Sequence, residues 1–238
     1  MDEAKKIGLE VVYSDTDSVF VNHNAEKIRQ LSEKIGKELG LEIKPDKIYT
    51  RILFTEAKKK YCGLLPDGRL DIVGLEVVRG DWAACAKNVQ EKVLQMILKE
   101  PTPKKGAKKA AEHVRQYISD LRLKKVPYRD LILWKTLTKP VEEYEVKAPH
   151  VEAAKLLLKE GCELSMGDKI GYVITVGAGK LYEKAKPYVF TMYDQVDTEY
   201  YVTHQVVPAA SRILTMFDIT EDKLLPSAEA KPKTLDEF

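Results

Sequence analysis

Two aspartates stand inside what would otherwise be an unbroken β-strand. From Leu9 to Val21 the chain is rich in β-branched and aromatic residues, with Val11, Val12, Val19, Phe20 and Val21 surrounding Asp15 and Asp17. That is the composition of a pleated, half-buried segment. A packed strand does not take two carboxylates at its centre, because like charges repel and their desolvation is expensive unless cations neutralise them. In a strand or tight hairpin the two-residue spacing points both acids to one side, though a turn between them would splay them. Hard divalent cations such as magnesium neutralise such a pair through oxygen ligands, commonly with one or two carboxylates and the phosphates of a substrate. Two other readings fit an isolated Asp-x-Asp: a solvated turn, and the diphosphate-holding pair of a metal-dependent nucleotide-sugar transferase.

The patterning around this segment is that of an α+β chain. Ala25 to Leu39 places Ile28, Leu31, Ile35 and Leu39 on one helical face, with Gly40 as its stop. Ile48 to Thr55 alternates, Lys58 to Leu64 continues as a strand, and Pro66-Asp67-Gly68 turns the chain into a returning strand from Arg69 to Gly74. The character changes near Gly80. Asp81 is placed to cap a long helix over Trp82 to Lys99, and Gly106 separates the Pro101–Pro103 linker from a second helix reaching about Leu123. Tyr128 to Leu137 reads as extended and His150 to Glu160 as helical with Gly161 as its stop. Ile170 to Val176 reads as a short strand, and Thr198 to Phe217 as a helix that Pro208 must kink or reset.

At 238 residues, 44% hydrophobic and 32% charged, the composition is that of a soluble globular protein. No apolar run approaches the roughly 18 residues of a membrane span, and no signal peptide is visible at the N-terminus, so a cytoplasmic location is expected. Cys62, Cys85 and Cys162 are widely separated, which suggests neither a disulfide framework nor a metal–thiolate site and predicts buried or neutral thiols. His23, His113, His150 and His204 have no metal-ligand spacing. The net charge of +2 is too small to announce nucleic-acid binding, so the distribution of charge has to carry that argument.

Tyr13-Ser14-Asp15-Thr16-Asp17-Ser18, flanked by apolar strands, closely resembles the YxDTDS motif of family B DNA polymerases. Lys58-Lys59-Lys60-Tyr61 is similar to the family's KKxY element, and Gly74-Leu75-Glu76-Val77-Val78-Arg79-Gly80-Asp81-Trp82 to its GLEIVRRDW passage. Ala148-Pro149-His150-Val151, Glu199-Tyr200-Tyr201, Gln205 and Pro208 resemble sequences of archaeal thumbs. The resemblance implies a partial antiparallel palm sheet with its helix over residues 1–80, a mainly helical, duplex-binding thumb over 81–225, and a flexible tail over 226–238. It implies Asp17 as the principal ligand of the catalytic metals and Asp15 as an auxiliary one, with Mg²⁺ as the cofactor. It also implies duplex contacts from Lys58, Lys59, Lys60 and Tyr61, and more weakly from Arg79, because Gly80 stands where the family usually has a second arginine.

As charges alone, the lysines of this element could form a solvated strand face. Lysines donate to phosphates without reading sequence, while Tyr61 offers a ring and a hydroxyl to sugar or base edges. Lys59 and Tyr61 share a side if the segment is a strand. Lys104, Lys105, Lys108 and Lys109 form the densest basic cluster, facing either the duplex or solvent, and Trp82 and Trp134 read as packing residues.

Family B polymerases bridge two metals, about 4 Å apart, with a further aspartate in a DxxSLYPS motif, and bind nucleotide with a KxxxNSxYG helix. Neither motif occurs in this sequence. The expectation is the small subunit, or a C-terminal fragment, of a DNA-directed DNA polymerase that is active only with a partner. A larger subunit would supply the remaining palm, the fingers and the exonuclease, with primer–template DNA and deoxynucleoside triphosphates as ligands. A split archaeal polymerase fits Met1 as a natural start; a piece of one longer polypeptide is the other origin. A non-catalytic DNA-binding or assembly module is the competing function. Lys233–Phe238 partly resembles a sliding-clamp-binding peptide, with Leu235 and Phe238 as its apolar anchors, and a disordered acidic end is the alternative.

Overall fold

Short antiparallel strands and amphipathic helices make up residues 2–16 and 18–225, which the structure, a computed structural model, describes. The mixed α+β composition agrees with the patterning. The chain divides into two units, Met1–Val73 and Gly74–Phe238.

In the first unit α1 (Asp2–Lys6) leads into an antiparallel hairpin of β1 (Val11–Ser14) and β2 (Val19–Val21). The Asp15 amide donates to the Ser18 carbonyl at 2.9 Å and closes its turn. The expected helix follows as α2 (Ala25–Leu39). Asn24 caps it by accepting from the Lys27 amide, and Gly40 ends it in the left-handed conformation at φ 65°, which suits a residue without Cβ. Ile28, Leu31 and Ile35 pack onto Ala4, Leu9, Val11 and Val21. Leu39, expected on the same face, is 65% exposed, because the last turn of α2 runs past the apolar cluster it covers.

A three-stranded meander completes the unit, with β3 (Arg51–Phe54), β4 (Tyr61–Leu64) and β5 (Leu70–Val73) in that order. The turn at Pro66-Asp67-Gly68 forms as predicted, Asp67 accepting from the Arg69 amide and Gly68 adopting φ 84°. The strand expected from Lys58 begins only at Tyr61. Lys58 and Lys59 form a turn instead, with Lys59 at φ 59°.

The second unit is built on α3 (Ala84–Lys99) and α4 (Pro103–Arg122). Val89, Val93, Leu94 and Ile97 of the first are buried, as are Ala107, Ala110, Val114, Ile118 and Leu121 of the second, an i, i+3/i+4 stripe on each helix. Gly106 lies inside α4 rather than ahead of it, and Pro103 starts the helix, where a missing N–H costs nothing. A Cβ on Gly106 would stand 2.5 Å from the Met96 carbonyl oxygen, so glycine is there to let two backbones meet.

Beyond these helices a second meander, β6 (Leu133–Thr136), β7 (Lys169–Ile174) and β8 (Ala185–Pro187), packs under α5 (Pro149–Lys159). Its core is Leu137, Val141, Val151, Ala153, Ala154 and Ile170. Only the last part of the extended segment predicted from Tyr128 is a strand, since Tyr128–Leu131 is a 3₁₀ turn. The helix predicted from Thr198 is broken into α6 (Thr198–Tyr201), a π turn at Val202–Val206, and α7 (Val207–Leu214). Pro208 cannot donate to the carbonyl four residues back. The chain widens just ahead of it, the Val207 amide reaching Val202 instead. A last turn, α8 (Glu221–Leu224), packs on α4 and α7.

The sequence changes character near Gly80, whereas the units divide after Val73. Leu75 and Glu76 are buried, and Glu76 pairs with Gln90 of α3 and Arg212 of α7, so that Gly74 to Gly80 belong with the second unit. Cys62 and Cys85 are buried, and Cys162 is exposed. Burial pushes the Cys85 thiol up to about 12. No helix among the described residues is long and apolar enough to cross a membrane.

Gly106→Ala should lower the melting temperature even though alanine is the better helix former. The contact is with rigid backbone, and overpacking of about 1–3 kcal/mol outweighs a propensity gain of about 1 kcal/mol. Gly80→Arg, at a position with nothing within 4 Å of an added Cβ, should leave the melting temperature unchanged.

Candidate metal and nucleic-acid site

Asp15 begins the turn between β1 and β2. Its Oδ1 accepts from the Thr16 amide at 2.8 Å and the Thr16 hydroxyl at 3.3 Å, and its Oδ2 is 3.7 Å from Lys59 Nζ. The Asp15 side chain is 20% exposed and that of Lys59 65%, so the carboxylate is half-sheltered and the ammonium open to solvent. Asp17 lies outside the described residues, as do Leu235 and Phe238. Among the described residues no three His, Cys, Asp or Glu side chains gather into a metal cage. The oxygen donor present, Asp15, is of the kind a hard cation takes, and magnesium needs only one or two protein carboxylates when substrate phosphates fill its shell.

The lysine element is docked on this hairpin. The Lys59 amide donates to the Tyr13 hydroxyl at 3.2 Å, and the Tyr13 ring is stacked on Phe54 at 4.7 Å, at the end of the strand that enters the turn. Thr55 closes the turn, its amide and hydroxyl both donating to the Lys60 carbonyl at 3.1 and 3.0 Å. Lys58 and Lys59 are exposed and Lys60 is half-buried. Because the chain turns here, Lys59 and Tyr61 do not share a strand face as expected. Instead Tyr61 points into an aromatic cluster, edge-on to Phe20 at 5.2 Å and tilted against Phe54 at 5.8 Å. A half-buried ring with these neighbours is not an open stacking platform.

Behind Tyr61 is a polar group with no local signal in the sequence. Asp71 Oδ2 accepts from the Tyr49 hydroxyl and from Lys47 Nζ, the latter at 2.9 Å. Burial alone would raise the Asp71 carboxyl, but these two donors hold it below the usual carboxylate range. Burial, and then the bond to Asp71, push the Tyr49 phenol well above its ordinary value.

In the second unit Arg79 forms a two-pronged ion pair with Asp81, Nε to Oδ1 at 3.0 Å and Nη2 to Oδ2 at 2.7 Å. Hydrogen bonding to Arg79 holds the Asp81 carboxyl below its usual range, and Asp81 is therefore not the cap of α3. That end is served by Gln205, whose Oε1 accepts from the Ala83 amide at 3.0 Å. Glu76, 1% exposed, pairs through Oε1 with Arg212 Nε at 2.8 Å and through Oε2 with Gln90 Nε2 at 2.6 Å. Gln90 also donates to the Ala209 carbonyl and accepts from the Val77 amide. Polar residues at helical core positions, Gln90 beside Val89 and Val93, were the available signal. Lys104, Lys105, Lys108 and Lys109 are all exposed, the last paired with Glu100.

The sequence model of DNA polymerase family B matches residues 2–217. This chain belongs to DNA polymerase family B. It is 49% identical over 222 residues to DNA polymerase 2 of Aeropyrum pernix, covering 93% of this chain and 27% of that protein. It is 36% identical to a DNA polymerase of Archaeoglobus fulgidus, over 99% of this chain and 32% of the relative. The solved family B DNA polymerase of the hyperthermophilic archaeon Pyrobaculum calidifontis superposes with a TM-score of 0.72 at 44% identity, over 89% of this chain and 27% of that one. The chain thus spans about a quarter to a third of the length of these relatives. Family membership disposes of the sugar-transferase reading of Asp15 and Asp17.

The buried Glu76 group makes a measurable demand. Glu76→Ala removes an acceptor from buried Gln90 and the partner of Arg212, and should lower the unfolding free energy by about 2–3 kcal/mol, read as a fall in the urea midpoint. Glu76→Gln, which keeps a carbonyl for Gln90, should lose less.

Proposed function

We infer that this chain supplies one palm carboxylate motif and the DNA-gripping thumb of a DNA-directed DNA polymerase that transfers nucleotides to a primer 3′ hydroxyl. In this reading the first unit is the C-terminal part of the palm and the second the thumb. The observation that carries it is the docking of the Lys58–Lys60 turn onto the Asp15 hairpin through Tyr13, which sets phosphate-seeking cations beside an acid suited to a metal. A solvated turn or an unplaced charge run gives no reason for that arrangement.

Asp17, with Asp15 in support, would hold Mg²⁺, which when bound supplies charge stabilisation to the triphosphate and the primer oxygen. The chain's own residues then have separable tasks. Asp15 is kept oriented by the Thr16 amide and hydroxyl. Lys58, Lys59 and Lys60 donate to duplex phosphates without reading sequence, and Tyr61 contacts the duplex beside them. Arg79 reaches a phosphate by exchanging its exposed partner Asp81, an ion pair worth little in water.

The remaining palm, the fingers and the exonuclease come from outside this sequence, as a larger partner subunit or as further parts of the same polypeptide. Primer–template DNA and deoxynucleoside triphosphates are the ligands. The competing role, a non-catalytic DNA-binding or assembly module, assigns no chemistry to Asp17.

The chain alone should bind primer–template weakly and extend no primer. Extension should appear when it is combined with a polymerase portion carrying the missing motifs. Asp17→Ala should abolish that extension while leaving primer–template affinity within about twofold, since a single metal-site carboxylate makes no phosphate contact of its own. Extension that survives Asp17→Ala would support the module instead.

A further inference from the structure

The two oxygens of Asp15 are used differently. Oδ1 is occupied by the Thr16 amide at 2.8 Å and the Thr16 hydroxyl at 3.3 Å, while Oδ2 stands toward Lys59 Nζ at 3.7 Å. Because the bonds to Thr16 come from the next residue of the same turn, they fix the direction of the carboxylate. Oδ2 therefore points the same way whichever cation it meets.

Lys59 is held at its other end. Its amide donates to the Tyr13 hydroxyl at 3.2 Å, and the Tyr13 ring is stacked on Phe54 at 4.7 Å, so its backbone keeps a fixed place beside the hairpin. The ammonium hangs from that anchor on a flexible four-carbon stem. With the Lys59 side chain 65% exposed against 20% for Asp15, the ammonium is free to swing out to a ligand while the carboxylate stays behind. Lys58, exposed on the same turn, makes no such pair with Asp15.

We propose that Asp15 is a latch on Lys59, its Oδ2 serving either the lysine or a divalent cation, so that metal at the carboxylate releases the ammonium to a duplex phosphate. The inference rests on the readings of Asp15 as a metal ligand and Lys59 as a duplex contact given above. A hard divalent cation is the stronger competitor for this oxygen, since it takes carboxylate oxygens directly, whereas an exposed ion pair is worth little in water. By linkage the reverse holds as well: a duplex that engages Lys59 leaves Oδ2 open to metal and favours it by the same factor. Without metal the carboxylate competes with phosphate for the ammonium, which ties the grip on DNA to the cation that the chemistry needs.

The test is a mutant cycle on primer–template affinity of the full chain, measured by fluorescence anisotropy in EDTA, with the melting temperature of each variant recorded. Asp15→Asn keeps an oxygen for the Thr16 amide and removes the charge facing Lys59; Lys59→Met keeps the unbranched stem and removes the ammonium. If the pair must open before the duplex is gripped, Asp15→Asn strengthens binding more with Lys59 present than in a Lys59→Met background. The excess should be about two- to fivefold, the range an exposed ion pair supplies. Plain repulsion between Asp15 and phosphates contributes equally in both backgrounds and cancels. The excess should survive in a Lys58→Met background, which lowers the net charge by the same amount. With the polymerase portion carrying the missing motifs and Ca²⁺ in place of EDTA, it should vanish, because the cation has already taken the carboxylate. Equal gains with and without Lys59 overturn the latch while leaving Lys59 a duplex contact. An excess that persists with the cation overturns the link to metal. If Lys59→Met leaves binding unweakened in the Asp15→Asn background, Lys59 is no duplex contact, and that reading falls together with the latch.

Discussion

The hydrogen bond from the Lys59 amide to the Tyr13 hydroxyl ties the lysine turn to the carboxylate hairpin. The turn has reasons to relax without it. Lys59 occupies the left-handed region at φ 59°, which costs a residue with a side chain roughly 1–2 kcal/mol, and three consecutive ammonium groups repel one another. What resists is apolar. Tyr13 is stacked on Phe54, and Phe20 packs against Tyr13, Phe54 and Tyr61. Aromatic pairs of this kind contribute about 0.5–1.5 kcal/mol each beyond area burial, enough together to offset the strain. The position of the charges in the first unit is thus set by rings that carry none.

The second unit solves a similar problem with a buried polar group. Glu76 sits at the point where the chain enters this unit, and it is joined through Gln90 to the Ala209 carbonyl and directly to Arg212. Three segments, the Glu76 turn, α3 and α7, are thereby fixed in register by the hydrogen bonds of Gln90 and the ion pair to Arg212. Apolar packing alone would tolerate sliding, because small side chains such as Ala86, Ala209 and Ala210 offer few protrusions to interlock. A buried carboxylate left without its donors is costly, so the arrangement that satisfies Glu76 is strongly selected over its neighbours.

Much of this was legible from the chain. Gly40 marks the end of α2 and Asp67-Gly68 marks a hairpin, because each of those residues acts on the backbone within a few positions of itself. The misplaced features depend on distant partners. Asp81 has the chemistry of a helix cap, but the Arg79 guanidinium takes its carboxylate, Ala83 is the residue at the start of α3, and Gln205, far along the chain, accepts from the Ala83 amide. Gly106 reads as a helix breaker until the Met96 backbone is seen to need its missing side chain. The lysines of the KKxY element read as a strand face because their spacing cannot reveal that Tyr13 captures the Lys59 amide. The Tyr49–Asp71 pair left no local signal, since its logic lies in the register that sets Gly63 opposite Asp71.

Several cations among the described residues stand beside carboxylates. Lys59 lies near Asp15, Lys47 near Asp71, Arg79 near Asp81, Lys109 near Glu100 and Arg122 near Glu199, in a chain whose 39 basic residues face 37 acidic ones. For the duplex-gripping role proposed here this is less of a handicap than it looks. Exposed ion pairs are worth about 0–1 kcal/mol in water, so a phosphate can replace the partner carboxylate at little cost. The carboxylate meanwhile keeps the cation from wandering, which lowers the side-chain entropy that binding would otherwise have to remove. Lys59 is the informative case, because its partner Asp15 is the auxiliary ligand of the proposed metal site. Under the function proposed above, Asp15 and Lys59 would be freed together, since a cation taking the carboxylate leaves the exposed ammonium to a phosphate.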